Sequence, residues 1–119
     1  MSAHNSAICA FLWSEGHGPG TRISNDLMHR IGADWERFRE AAEALGFDAT
    51  EHRAIAINPT EGDEWDYAAH DFILTRNHHG AGFWDGGWHA RWGERLTALS
   101  HTFPELESYF DDDDILRLC

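Results

Sequence analysis

A chain of 119 residues has enough apolar surface for one core and would starve a second, so a single domain spanning 1–119 is expected. A hydrophobic fraction of 42% with six tryptophans excludes a disordered acidic tail. The 21 acidic residues face nine basic ones, all arginine, for a formal net charge of -12; this argues against direct nucleic-acid binding, which needs clustered cations.

An acidic surface attracts basic partners and speeds their encounter, besides keeping a small protein in solution. Cys9 and Cys119 provide no disulfide framework, which fits a reducing cytosol. The N-terminal residues lack a basic region followed by a long apolar run, and no stretch approaches the ~18 apolar residues of a membrane span. A cytoplasmic protein without a membrane partner is expected.

Residues 6–13 (SAICAFLW) carry large apolar side chains on both alternating faces and read as a covered central strand. Residues 15–21 (EGHGPGT) are glycine-rich and read as an exposed loop. Leu27, Ile31, Trp35, Phe38, Ala42 and Leu45 recur at steps of three and four, the mark of one helical face, with Gly46 as its stop. Gly32 weakens the first part, so the main helix is expected from about Asp34, with a looser turn before it.

Residues 51–57 (EHRAIAI) suggest a short strand closed by Asn58 and Pro59. After a helical turn over residues 63–69, residues 71–75 (DFILT) alternate in strand fashion. Asn77, His78, His79 and Gly80 then suit a hairpin turn, with a return strand from Ala81. Trp88, Trp92, Leu96 and Leu99 mark a second helix that ends before Pro104. Residues 106–110 and 115–118 form a terminal hairpin around Asp111, Asp112, Asp113 and Asp114, whose mutual repulsion requires solvent. The expected fold is α+β, a small antiparallel sheet packed with two main helices.

Residues 70–85, HDFILTRNHHGAGFWD, resemble the HDFxLTRNxHGAGFWD signature of a family of small proteins encoded by tailed phages and prophages. Residues 93–97 (GERLT) are similar to a GDRLT helix start in that family, so the likeness covers roughly the C-terminal half. The chain departs from the pattern at His78, where the family often has glycine. Small acidic phage proteins of this kind often bind and block host proteins, including restriction and CRISPR effectors, and some imitate the charge of DNA. The resemblance therefore implies an interaction protein.

His70, Asp71, His78, His79, Asp85 and His89 combine nitrogen and carboxylate ligands suited to a divalent metal, but their spacing matches neither HExxH nor paired CxxC. A hydrolytic centre would draw on Asp71, His79 and either Thr75 or Cys9, with histidine as base. Turn capping and surface positions are the simpler use of these residues. Phe83, Trp84, Trp88 and Trp92 offer either core packing or aromatic anchors for a protein partner.

Glu61, Asp63, Glu64 and Asp66, together with Asp111, Asp112, Asp113 and Asp114, make two acidic stretches that would imitate a phosphate track if they converged. The aspartate run lacks the alternating ligands of a calcium loop. The leading expectation is a non-enzymatic, phage-derived inhibitor with no cofactor and no metal, of anti-CRISPR or anti-restriction type. It would bind a basic, nucleic-acid-binding host protein through these carboxylates with Trp84 and Trp88. The alternative is a small metal-dependent hydrolase built on His70, Asp71, His79 and Asp85.

Overall fold

The computed structural model describes residues 3–18, 20–54 and 62–119. Among these, the chain runs through α1 (Ala3–Ser14), α2 (Asn25–Ala44), α3 (Ala49–His52), α4 (Glu64–Arg76) and α5 (Ala90–Ser100) into the strands β1 (Ser108–Phe110) and β2 (Leu116–Leu118). The expected α+β class is the one adopted, with a larger share of helix than the sequence pattern suggests. No helix among the described residues is long and apolar enough to cross a membrane.

Residues 6–13 form helix, not strand. Ala7, Ala10 and Phe11 recur at helical spacing and are buried, while Cys9 and Trp13 face outward. The alanines favour helix and let α1 lie close to α4, which presents buried Ala68 and Ala69. Helix α2 starts earlier than expected because Ser24 caps it, accepting from the Leu27 N–H. Gly32 is carried inside the continuous helix, where an added Cβ would come only to ordinary contact distance from the His4 ring. Gly46 does stop α2: at φ 97° it lets the Phe47 N–H reach the Ala42 carbonyl at 3.1 Å.

The largest correction concerns residues 71–80. Residues 71–75 complete α4, whose start is fixed by a capping box in which Asp63 accepts from the Asp66 N–H and Asp66 accepts from the Asp63 N–H. The apparent alternation has a simple cause. All six residues from Asp71 to Arg76 are buried, so this end of the helix has no polar stripe to reveal its period.

No hairpin turn follows: His78 adopts φ 56°, and the N–H groups of His78 and His79 bond the carbonyls of Thr75 and Leu74, closing the helix. Residues 81–87 make turns and bends rather than a return strand. Of the strand expected over 51–57, the described part is the single turn α3 and an isolated bridge between Arg53 and Trp88; residues 55–57 lie outside the described residues.

The core is strongly aromatic. Phe38 stacks on Phe72 with ring centroids 4.4 Å apart and on Phe83 at 5.6 Å. Phe47 sits among Trp65, Trp88 and Trp92 at 5.2 to 5.5 Å.

Against this core lies the fully buried Arg76. Its Nη1 donates to Asp34 at 2.8 Å, and Nε and Nη2 both donate to the Pro104 carbonyl, at 3.1 and 2.7 Å. Arg30 and Arg37 complete the surroundings of Asp34 at 3.1 and 3.5 Å. Burial pulls the Arg76 guanidinium below its ordinary pKa, and the bond to Asp34 opposes that shift.

Removing one member of a buried pair leaves the other uncompensated, at a cost of about 3 kcal/mol or more. Arg76→Met is therefore expected to lower the unfolding free energy in urea by about 3 kcal/mol, with Asp34→Leu in the same chain recovering part of it. A loss below ~1 kcal/mol would contradict this role. His78→Gly should act the other way and raise stability by about 0.5–1 kcal/mol, because glycine occupies the left-handed region without a Cβ penalty. A thermal melt reads that difference.

Candidate functional site

Most of residues 70–88 are engaged in holding α4 to its neighbours. Asp71 accepts the Trp88 indole N–H at 2.7 Å and has the Arg53 guanidinium 4.0 Å away. Thr75 accepts the Phe83 N–H at 3.1 Å. A side chain at Gly82 would run into the Thr75 hydroxyl, and one at Gly93 would approach the Phe83 carbonyl to 2.9 Å. Asn77 pairs reciprocally with the backbone of Leu106, accepting its N–H at 2.8 Å and donating to its carbonyl at 3.3 Å. Asp85 accepts the Gly82 N–H at 3.3 Å.

The histidine and aspartate cluster does not gather. His70 Nδ1 lies 3.3 Å from Asp71, whose other oxygen is taken by Trp88, while His79 Nδ1 accepts from the Ala81 N–H at 3.4 Å and Asp85 is used in its own turn. Among the described residues no group of three His, Cys, Asp or Glu side chains is placed to hold a metal ion. A groove of about 310 Å³ between α1 and α4 is lined by Cys9, Trp13, Asp66, Tyr67 and His70. Trp13 is 61% exposed there, with the His79 ring 5.3 Å away. Among the described residues, Cys9 has no hydrogen bond to a base, so the groove lacks an assembled nucleophile.

The expected acidic surface is rearranged. Asp63 and Asp66 are spent on the start of α4, with Asp66 buried; Glu64 is half-buried in the same turn; Glu61 lies outside the described residues. Trp88 is also buried, a core residue rather than an exposed anchor, because its indole N–H finds Asp71 inside. Trp84 is 56% exposed beside a groove lined by Arg91 and Glu94.

In this half of the chain two expected features are found, the helix carrying Trp92, Leu96 and Leu99 that ends before Pro104, and the terminal hairpin. Asp111 organises its turn. The carboxylate accepts from the Asp113 and Ile115 N–H groups at 2.8 and 3.0 Å and pairs with Arg117, while Asp114 takes φ 59°. Asp112, Asp113 and Asp114 remain exposed.

Residues not singled out in the sequence complete this face. Glu15, Glu105 and Glu107 line a groove of about 400 Å³ beside β1. Tyr109 and Phe110 are 49% and 47% exposed on the strand itself. Phe110 also meets the His17 ring edge-on at 5.0 Å. The pairing of Tyr109 and Phe110 with a following acidic run was the available signal. What the sequence did not carry was the return of Glu15, from the end of α1, to the same groove. No family model, curated protein or solved structure matches the chain.

The Asp111 carboxyl is held below its ordinary value of 3.8 by the Ile115 N–H and then by Arg117. Asp26 and Asp48 are lowered as well, chiefly by the hydroxyls of Ser24 and Thr50. Between the lowered and ordinary values the unfolded chain binds more protons than the folded one. The stabilisation is thus present above pH 3.8 and is lost as pH falls through the folded values. Circular-dichroism melts from neutral pH to about pH 2 should show Tm declining at the acid end, and Asp111→Asn should start lower and decline less. Parallel curves for the two proteins would remove Asp111 from the acid response.

Proposed function

We propose that this protein is a non-enzymatic, phage-derived inhibitor that acts in the host cytoplasm by binding a basic, nucleic-acid-binding host protein of the CRISPR- or restriction-effector kind. The observation that carries this reading is how the chain spends its positive charge. Arg30, Arg37 and Arg76 surround Asp34; Arg117 pairs with Asp111; Arg39 bonds Glu43. Arg53 and Arg95 lie over tryptophan rings, and Arg22 donates to the Asp113 carbonyl. Eight of the nine arginines are thus engaged within the molecule, in a chain whose formal net charge is -12.

The terminal face adds what charge alone lacks, exposed aromatic rings beside carboxylates. Such rings supply desolvated contact, and the acids supply steering and selection of a basic partner. This favours a compact charged and aromatic docking surface over a long imitation of a DNA phosphate track, because Asp66 is buried and the Asp63 carboxylate is occupied in capping α4. The resemblance of residues 70–85 to the phage signature supports the origin.

The test is affinity capture from bacterial lysate at low salt, followed by titration of the captured protein. A basic partner is expected, with its nucleic-acid activity inhibited and its affinity falling roughly tenfold or more as ionic strength rises past physiological values. Replacing Asp112, Asp113 and Asp114 together by asparagine should weaken it further. A partner indifferent to both salt and those replacements would overturn the reading.

A further inference from the structure

The two edges of the hairpin differ in their backbone hydrogen bonding. On β2, the Leu116 N–H donates to the Arg22 carbonyl and the Leu116 carbonyl accepts from the Ser24 N–H, both at 2.9 Å, so the segment around Ile23 covers that edge. On the other side β2 pairs antiparallel with β1, Tyr109 opposite Arg117. The flanking bonds, Cys119 N–H to Glu107 carbonyl and Asp111 N–H to Ile115 carbonyl, fix the alternation. Glu107, Tyr109 and Asp111 turn their backbone groups toward β2, and Ser108 and Phe110 turn theirs away from it. Among the described residues, Ser108 and Phe110 make no backbone hydrogen bond to another element on that outward edge, although the His17 ring packs against the Phe110 side chain.

An unpaired edge is a template for another strand, and proteins commonly blunt it with lysine, proline or a bulge. Here β1 bears Tyr109 and Phe110, and its surroundings are acidic: Glu105 and Glu107 at one end, the exposed aspartates of the turn at the other. Those carboxylates oppose a second copy of the same edge, since like charges placed across a strand pair are destabilising. They favour an extended chain carrying lysine or arginine. Glu107 and Tyr109 lie on one face of the strand, so a cationic side chain there can lay its stem along the phenol ring and set its head on the carboxylate.

We propose that the outer edge of β1 receives an extended basic segment of the partner, which adds to the terminal hairpin as a further strand. This rests on the reading of the protein as a binder of basic partners and names the element that does the binding. The backbone groups of Ser108 and Phe110 supply the ladder, and the groove formed by Glu15, Glu105 and Glu107 receives a cationic side chain.

A short peptide of alternating lysine and valine, added to the full chain at low ionic strength, serves as the probe. It is expected to bind and to slow amide exchange at Ser108 and Phe110. Methylating its backbone nitrogens on one edge should weaken binding about tenfold, the effect of losing two ladder hydrogen bonds. Ser108→Pro should do the same, proline being tolerated at the start of an edge strand. The methylated peptide keeps the test valid if that variant misfolds.

Salt-sensitive binding that ignores both methylation and Ser108→Pro would overturn strand addition while leaving the basic-partner reading intact. A peptide that does not bind at all would also overturn strand addition. The broader reading fails separately, when lysate capture finds no salt-sensitive basic partner.

Discussion

The buried bond between Arg76 and Asp34 joins parts of the chain 42 residues apart. It ties the last residue of α4 to the middle of α2, and the remaining guanidinium protons hold the Pro104 carbonyl where the chain leaves α5 for the hairpin. A buried charge tolerates few alternative arrangements, because each one that breaks the pair strands an ion in an aromatic interior. Phe103 is held in the same way, with Arg37 and Arg76 at 5.4 and 5.5 Å from its ring. Helix positions and the approach to the hairpin are therefore set by one electrostatic constraint.

This gives residues 70–88 a physical meaning. Asp71 fixes Trp88, Thr75 fixes Phe83, Arg76 fixes α2, and Asn77 fixes Leu106. Each polar side chain reaches a different neighbour, so the segment works as the hub of the fold. Two of its glycines fit the same account, since a side chain at Gly82 would strike Thr75 and one at Gly87 would strike Arg53. His78 occupies a left-handed position, which glycine would fill without a Cβ penalty.

Several elements were legible in the sequence because their physics is local. The apolar spacing of Leu27, Ile31, Trp35 and Phe38 identified α2, Gly46 its end, and the run of aspartates the terminal turn. Residues 6–13 and 71–75 misled because apolar residues on every side erase periodicity, and large side chains on alternate positions then imitate a strand. The Asp63 and Asp66 capping box was a local signal for α4 that the alternation outweighed. Trp88 appeared available as an anchor until its partner, Asp71, was known to lie across the fold. The acidic terminal face was legible only in part: Asp112, Asp113 and Asp114 stood out, but Glu15 joins Glu105 and Glu107 through tertiary packing that no local pattern encodes.

A two-stranded ribbon with three residues in each strand does not persist in water by itself. Here it is moored at two places, by Asn77 to Leu106 and by Leu116 to the segment leading into α2. With little of its own burial to resist opening, this ribbon belongs to the low free-energy end of the molecule's local unfolding spectrum. Whatever occupies its face stabilises the closed form by mass action, so occupancy and local order share one equilibrium. The same connecting segment is held at Leu106 by Asn77 and at Pro104 by Arg76, so the terminal face and the buried charge at the centre of the fold are two residues apart along one hydrogen-bonded stretch of backbone.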